Sequence, residues 1–373
     1  MRLLYLGNPN TIHVQRWLRH FAEAGHEVHL AAVNPVRVPG DRFAGVHIHD
    51  VSLQHKPTRL AHLLEVVRLR RLIGTIRPDV VHAHYVARYG WLGALASFRP
   101  FVLTAWGGDV LPRQGALDMP IARLLTPYAL RHADLITADA PDVADICRRL
   151  SRPTARIETI TFGADLHRFR PDVPVGPFRE RLGIPAGVPV VLSPRIFAPV
   201  YNIDTIIESI PAVVRQFPDV VFVLQNYSSL GNAPYEARLG QLVDQLGVRE
   251  HVRFVGELAH DDMALLYNVA NIVVSVPSSD GVPATFFEAM GCGVPLIVTD
   301  LPAYDGLIEH GHTGLRVQAR QGAQLADSIC ALLGDAGLRA RIADAATLVV
   351  RDKGDFHREM SKVEALYKEL AGR

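Results

Sequence analysis

Lysine and cysteine are the scarce residues of this chain. Only 4 of its 39 basic residues are lysine, and the three cysteines, Cys147, Cys292 and Cys330, lie far apart. Three widely spaced thiols give neither a disulfide framework nor a zinc spacing, and they fit a reducing cytoplasm. No apolar run approaches the length of a transmembrane helix. The opening MRLLYLGNPN carries one arginine ahead of a short apolar run that reads as a strand, not as a secretory leader. The loop after that strand has one glycine and no GxGxxG, which argues against a dinucleotide site of the dehydrogenase type. What remains is ordinary globular material, 49% hydrophobic and 21% charged, and 373 residues favour two domains over one.

The net charge of +1 hides an asymmetry. Residues 1–170 hold 22 Lys and Arg against 14 Asp and Glu, a balance of +8, while the remainder holds 17 against 24, a balance of −7. The first half is therefore expected to meet something anionic, a membrane surface or a phosphorylated substrate. An arginine-rich genome is the plain alternative. Nothing points to a nucleic-acid partner.

Short apolar runs alternate with helical patterns along the whole length. Strands are expected at RLLYLG, EVHLAAV, VHIHDV, DVVHAHY, FVLTAW, LITAD and IETITF, then at VPVVLSPR, VVFVLQN, VRFVGEL, NIVVSVP, PLIVTD and TGLRVQA. Strands separated by helices of about ten to fifteen residues are the signature of βαβ units and a parallel sheet. The pattern occurs twice, predicting two doubly wound, Rossmann-like α/β domains. Five prolines between 171 and 189 punctuate the junction, around a short helix at FRERLG. The expected domains are 1–170 and 171–354, with an amphipathic C-terminal helix, 355–373, packing back on the first. In open parallel sheets ligands bind beyond the carboxyl ends of the strands, so two such domains would line a cleft with their strand-end loops.

The densest chemistry lies in SSDGVPATFFEAMGCGVPLIVTD. Strand NIVVSVP ends at Pro277, a turn carries Asp280 and Gly281, and Pro283 suits the first position of a helix running to Gly291. Amides near Val282, Ala284 and Thr285 would be left without helical partners. A helix start of this kind accepts an anion, and a diphosphate is the natural occupant. Glu288 can accept hydrogen bonds from vicinal hydroxyls, and Asp280 can do so from the other side. Two carboxylates flanking an anion site suit a nucleotide sugar. The plain alternative makes Asp280 a helix cap and pairs Glu288 with a surface cation.

That stretch resembles the donor motif of the GT-B retaining glycosyltransferases of family four, the glycogen-synthase-like group. GHEVHL, VHAHY, LTAWGGD, ITFGADLHRF, LAHDDMALLYNVANIVVSVP and HGHTGLRV follow in family order, so the resemblance spans nearly the whole chain. It implies a transferase that moves a sugar from a UDP- or GDP-linked donor to a glycan or lipid-linked acceptor in cell-surface polysaccharide or glycolipid synthesis. By the same resemblance the first domain binds the acceptor and the second the donor. Asp280 would contact the sugar and Glu288 the ribose. Arg195, after VVLS, would bind the donor phosphates as a catalytic cation. The family's lysine a few residues later is Tyr201 here, followed by Asn202, and either side chain can donate a neutral hydrogen bond in its place.

In the first domain Gly7 would approach the donor from the loop after strand one. Asn10, His13 and Arg16 follow at or near the next helix start, as candidates for the acceptor side. His82 and His84, like His47 and His49, lie two apart on one strand face. Two such ligands without a third make a weak metal site. His84 alone sits at the carboxyl end of its strand, so it joins the acceptor candidates. In LTAWGGD, Trp106 stands where relatives carry a histidine, ahead of Gly107. Trp106 can stack on a sugar or acceptor face. Asp109 is expected to position the attacking hydroxyl, as a catalytic residue together with Arg195 and Asp280.

The resemblance further implies retention without a protein nucleophile and, in the absence of Asp-x-Asp, independence of metal. No cofactor is expected. The stretch KPTRLAHLLEVVRLRRLIGTIR has six basic residues and one acid and can sit on an anionic membrane at the inner face of the cytoplasmic membrane. Taken alone, the stretch reads first as a sheet-covering helix with solvated arginines. Two other readings of the chain stay open: a nucleotide-sugar epimerase of the same fold, and a non-catalytic nucleotide-sugar sensor or subunit.

Overall fold

The computed structural model describes residues 1–37, 40–52, 59–111, 117–161, 163–226 and 232–372. All thirteen expected strands are present, in two wholly parallel sheets. The last residue of the strand expected at 157–162 and the first three of the basic stretch, 56–58, lie outside the described residues.

The first sheet holds β1 (Arg2–Gly7), β2 (Glu27–Ala32), β3 (Val46–Asp50), β4 (Val80–His84), β5 (Phe101–Ala105), β6 (Leu135–Ala138) and β7 (Arg156–Thr159). Their order is β3-β2-β1-β4-β5-β6-β7, so β1 and β4 are central and the order reverses between them. Continuous apolar runs such as FVLTA are buried on both faces, as a sheet covered by helices on each side requires. Between the strands run α1 (Ile12–Glu23), α2 (Arg59–Ile76), α3 (Trp91–Ala96), α4 (Pro120–His132) and α5 (Pro141–Leu150). Proline opens both α4 and α5, where its missing N–H costs nothing.

The second sheet holds β8 (Val190–Ser193), β9 (Val221–Gln225), β10 (Val252–Val255), β11 (Ile272–Ser275), β12 (Leu296–Thr299) and β13 (Leu315–Val317). Their order is β10-β9-β8-β11-β12-β13. Its helices are α6 (Gly176–Arg181), α7 (Ile203–Val214), α8 (Ala233–Gln245), α9 (His260–Val269), α10 (Ala284–Gly291), α11 (Gly322–Gly334) and α12 (Ala336–Lys353). One core lies on each face of this sheet. The chain closes with α13 (Phe356–Leu370), whose buried Tyr367 hydroxyl meets the Tyr5 hydroxyl of β1 at 3.1 Å and Nδ1 of His82 on β4.

The compact units are Met1–Phe162 with His357–Arg373, and Gly163–Phe356. The division falls at 162/163 instead of the 170/171 expected from the proline cluster. Residues 163–170 go with the second unit because Phe169 is fully buried in its core, edge-on to Tyr267 at 5.9 Å. The returning chain runs beside the departing one: Ala164 N–H donates to the Gly354 carbonyl at 2.7 Å, and Phe356 N–H to that of Ala164 at 3.0 Å.

Candidate functional site

In the second unit the loop after β8 brings Arg195 to the carboxyl edge of the sheet. Its Nη2 donates to Oδ2 of Asp280 at 2.6 Å, and the two side chains are only 8% and 16% exposed. The guanidinium also lies over the Tyr201 ring, 4.2 Å from its centre. The tyrosine that stands in the lysine position thus stacks on the arginine as a cation–π partner. Oδ1 of Asp280 accepts the Gly281 amide at 3.0 Å. Burial raises the Asp280 carboxyl above its ordinary range, and the Arg195 charge opposes that rise. Asp280 does not cap the helix that follows. Pro283, in extended conformation, is the N-cap, one position earlier than expected.

α10 starts immediately beyond. The amides of Ala284 and Thr285 belong to its first turn and have no acceptor within the helix. The buried Thr285 hydroxyl has no hydrogen-bond partner. Val282 packs partly against the core of the unit, which fixes the turn. One turn into the helix, Glu288 is 8% exposed and accepts the Tyr267 hydroxyl at 2.9 Å. The unit therefore brings Arg195, Tyr201, Asp280, Gly281 and the start of α10 to one place. Asn202 differs from expectation. Its backbone is left-handed, and its amide nitrogen is committed to the Val276 carbonyl at 2.8 Å and the Ser278 hydroxyl at 2.9 Å. It pins the loop after β11 instead of offering a donor to a ligand.

In the first unit three expected residues form an aromatic group. Trp106 stacks on His84 (ring centres 5.5 Å apart, planes at 28°) and lies 5.5 Å from His13. Trp17 meets His84 edge-on at 4.7 Å. His84 is 1% exposed, and neither ring nitrogen has a hydrogen-bond partner. Burial, then the charge that His13 would carry, pushes His84 down to about 3. Burial, then Arg16, does the same to His13. Both rings are neutral near pH 7. Arg16 is half-buried on the same helix, α1.

Three other expectations for this unit change. Asp109 was expected to face the acceptor, but it is 1% exposed, and its oxygens accept the amides of Val86 at 2.5 Å and Trp106 at 3.0 Å. Burial lifts its carboxyl to about 6 against those hydrogen bonds. The residue organises the loop after β5, with Gly107 supplying the left-handed φ of +83° that turns it. The Asn10 side chain ties two loops together, donating to the Pro35 carbonyl at 2.8 Å and accepting the Arg37 amide at 2.7 Å. Gly7 ends β1, where a Cβ would come within 3.0 Å of Val14. Its smallness serves the packing of α1.

Asp109→Ala is expected to lower unfolding free energy by about 2–4 kcal/mol, because it leaves two buried amides without acceptors. Urea unfolding measures this directly; a loss under about 0.5 kcal/mol would mean the loop finds other acceptors.

Tyr304, Tyr267 and Trp17 escaped the sequence reading. Tyr304 is fully buried, edge-on to Phe286 at 4.9 Å, and interacts electrostatically with Asp280. Its signal was positional only, in a loop following the carboxyl end of β12. Tyr267 lies mid-helix at a spacing that any core residue shares. Among the described residues no group of three or more His, Cys, Asp or Glu side chains is arranged to hold a metal ion.

Two family descriptions match the chain: "Glycosyl transferase 4-like" over residues 2–140 and "Glycosyl transferases group 1" over 176–349. The chain is 23% identical over 367 residues to an N-acetyl-alpha-D-glucosaminyl L-malate synthase of Bacillus anthracis, covering 94% of this chain and 91% of that protein. It is 27% identical over 286 residues to a GDP-mannose-dependent alpha-(1-6)-phosphatidylinositol monomannoside mannosyltransferase of Mycobacterium tuberculosis, covering 72% and 70%. Among solved structures, Anabaena Alr3699/HepE in complex with UDP-glucose superimposes with a TM-score of 0.82 at 21% identity, over 99% of this chain and 100% of that one. At that identity the likeness establishes the fold.

Proposed function

The chain belongs to the GT-B glycosyltransferases of group 1, and from that premise we propose that it moves a sugar from a UDP- or GDP-linked donor to a glycan or lipid-linked acceptor. The observation that carries the reading is the Arg195–Asp280 pair, buried at the start of α10, with Glu288 one turn further in. A diphosphate placed on the first-turn amides of α10 would draw Arg195 toward it. Asp280 would then be released to a sugar hydroxyl, and Glu288 would accept from the ribose. The reaction breaks the bond between the anomeric carbon and the diphosphate oxygen. The acceptor hydroxyl forms the new bond from the same face, so configuration is retained, and its proton passes to the departing phosphate. Positioning and stabilisation of the leaving group supply the catalysis, without metal.

The names of the relatives support a nucleotide sugar as donor, since one is GDP-mannose-dependent and another was solved with UDP-glucose. The phosphatidylinositol mannoside acceptor named for the mycobacterial relative supports a role in cell-surface glycan or glycolipid assembly.

Calorimetric titration with UDP, GDP, ADP and CMP, first without metal and then with magnesium, tests the donor site. One diphosphate should bind selectively without metal. If none binds, the reading fails; binding with no turnover of any sugar nucleotide would favour a sensor or subunit. Glu288→Ala should weaken that binding by about tenfold or more, through the loss of a charge-assisted bond, and leave far-UV dichroism unchanged. Unchanged affinity would remove Glu288 from the site.

A further inference from the structure

Beside the donor site one buried hydroxyl is left without a hydrogen bond. Tyr304 closes a short turn, Pro302–Tyr304, that follows β12, and it is fully buried. Its backbone is fixed on both sides. The amide donates to the Leu301 carbonyl at 3.0 Å, and the carbonyl accepts the amides of Leu307 at 3.1 Å and Ile308 at 3.0 Å. The ring stands edge-on to Phe286 of α10 at 4.9 Å. At the end of this rigid mount the hydroxyl meets no partner at hydrogen-bond geometry. A buried polar group in that condition is costly and rare, so its position calls for a reason.

The surroundings supply one. The charged and titratable groups that act on the Tyr304 hydroxyl come from three loops: Asp280 after β11, Arg195 after β8, and Tyr201 in the turn ahead of α7. Burial, then the negative charge of Asp280, pushes the hydroxyl well above its ordinary range. It therefore keeps its proton near neutral pH and can meet an ionised carboxylate only as a donor.

In the free protein Asp280 has little need of that donor. Its Oδ2 accepts Arg195 at 2.6 Å and its Oδ1 accepts the Gly281 amide at 3.0 Å. A bound nucleotide changes this. Once a diphosphate draws Arg195 away, the carboxylate stays in a site only 16% exposed, where burial favours its protonated form. Three groups favour the ionised form: Arg195, the Gly281 amide and Tyr304. Only the last two then remain in place.

We propose that Tyr304 is a positioning residue of the donor site, whose hydroxyl donates to the Asp280 oxygen that Arg195 vacates and holds that carboxylate ionised for the sugar. This role rests on the nucleotide-sugar reading above, because it needs a diphosphate to remove Arg195.

Calorimetric titration with UDP and with GDP, each in two buffers of different ionisation enthalpy, counts the protons taken up on binding. The wild-type chain should bind one of them with little uptake at pH 7. Tyr304→Phe keeps the ring against Phe286 and loses a hydroxyl that bonds nothing in the free protein, so it should melt with the wild type. On binding the same diphosphate it should take up its proton at a pH about one unit higher, because the lost bond favoured the charged carboxylate. Asp280→Asn has no carboxyl to protonate, so adding Tyr304→Phe to it should change nothing further. Uptake as in the wild type, with the diphosphate still bound, would overturn the role of Tyr304 and leave the donor site standing. So would an altered uptake that persists in the Asp280→Asn background, since the effect would not pass through that carboxylate. A Tyr304→Phe chain that melts early would show a hydroxyl already bonded in the free protein, and that also overturns the proposal. If the wild type binds neither diphosphate, the donor reading fails and this role falls with it.

Discussion

Arg195→Ala should weaken the binding of UDP or GDP by about ten- to a hundredfold, the loss of a charge-assisted bond worth ~1.5–3 kcal/mol. The position offers little compensation, since Tyr201 holds the lysine site with a neutral ring stacked on the same guanidinium. The alanine variant also strands Asp280, which is 16% exposed, without its partner. Breaking a buried pair in this way costs about 3–5 kcal/mol. Arg195→Lys separates the two effects. It keeps the charge beside Asp280 and loses the planar fork, so stability should hold while affinity falls by a smaller factor.

Asp280→Asn gives the sharper contrast. It frees Arg195 from a 2.6 Å ion pair, so the free nucleotide should bind more tightly, while sugar transfer should slow because the carboxylate acceptor is gone. Calorimetry with the nucleotide, alongside turnover with the sugar nucleotide, reads both. If affinity and turnover fall together, Asp280 acts on the nucleotide and its assignment to the sugar is wrong.

Acid should unfold the first unit well before the usual carboxylate range. His84 sits at about 3 in the fold, against an ordinary value of 6.5. Between those values the unfolded chain binds the proton that the folded chain refuses, so stability falls as pH falls. The contribution is complete above 6.5 and declines by ~1.36 kcal/mol per pH unit below it. His13 follows the same course, and burial holds His82 well below its ordinary value too.

Asp109 works in the other direction. Its folded value of about 6 lies above the ordinary 3.8, so its ionisation costs stability as pH rises through that window, and acid relieves the cost. The two histidines at about 3 against the one carboxyl leave a net fall of about 1.4 kcal/mol per pH unit between about 6 and 4, and His82 adds to it in the same direction.

Urea midpoints at pH 7, 6 and 5 measure the slope. His84→Phe should lessen it by about 1.4 kcal/mol per unit, and leave stability at pH 7 unchanged or higher. The imidazole makes no hydrogen bond there for phenylalanine to lose, and an aromatic ring preserves the stacking with Trp106. A steep slope that survives the substitution would place the acid-sensitive group elsewhere.

The sequence alone determined the two parallel sheets. Near-continuous apolar runs such as LIVT and FVLTA, separated by helical stretches, allow little else once both faces must be covered. It also determined the order strand, turn, Asp280, Gly281, helix, Glu288, because that chemistry is local and fits within nine residues. Pro283 was legible as a mark of the helix start for the same reason, since it fixes its own φ, although it stands at the N-cap and not at the first helical position.

Only the tertiary structure decided where the side chains are spent. Asp109, Asn202 and Asn10 have the composition of ligand-binding residues, yet their polar atoms meet backbone amides, carbonyls and neighbouring side chains. Tyr201 became a partner of Arg195 and Tyr267 a donor to Glu288 through contacts between elements that no spacing encodes. The division at 162/163 likewise rested on Phe169 finding a core around Tyr267, far along the chain. A strand or a turn is set by forces between neighbours in sequence. A hydrogen-bond partner is set by whichever donor or acceptor the packed sheet brings within about 3 Å, and burial demands that one be found.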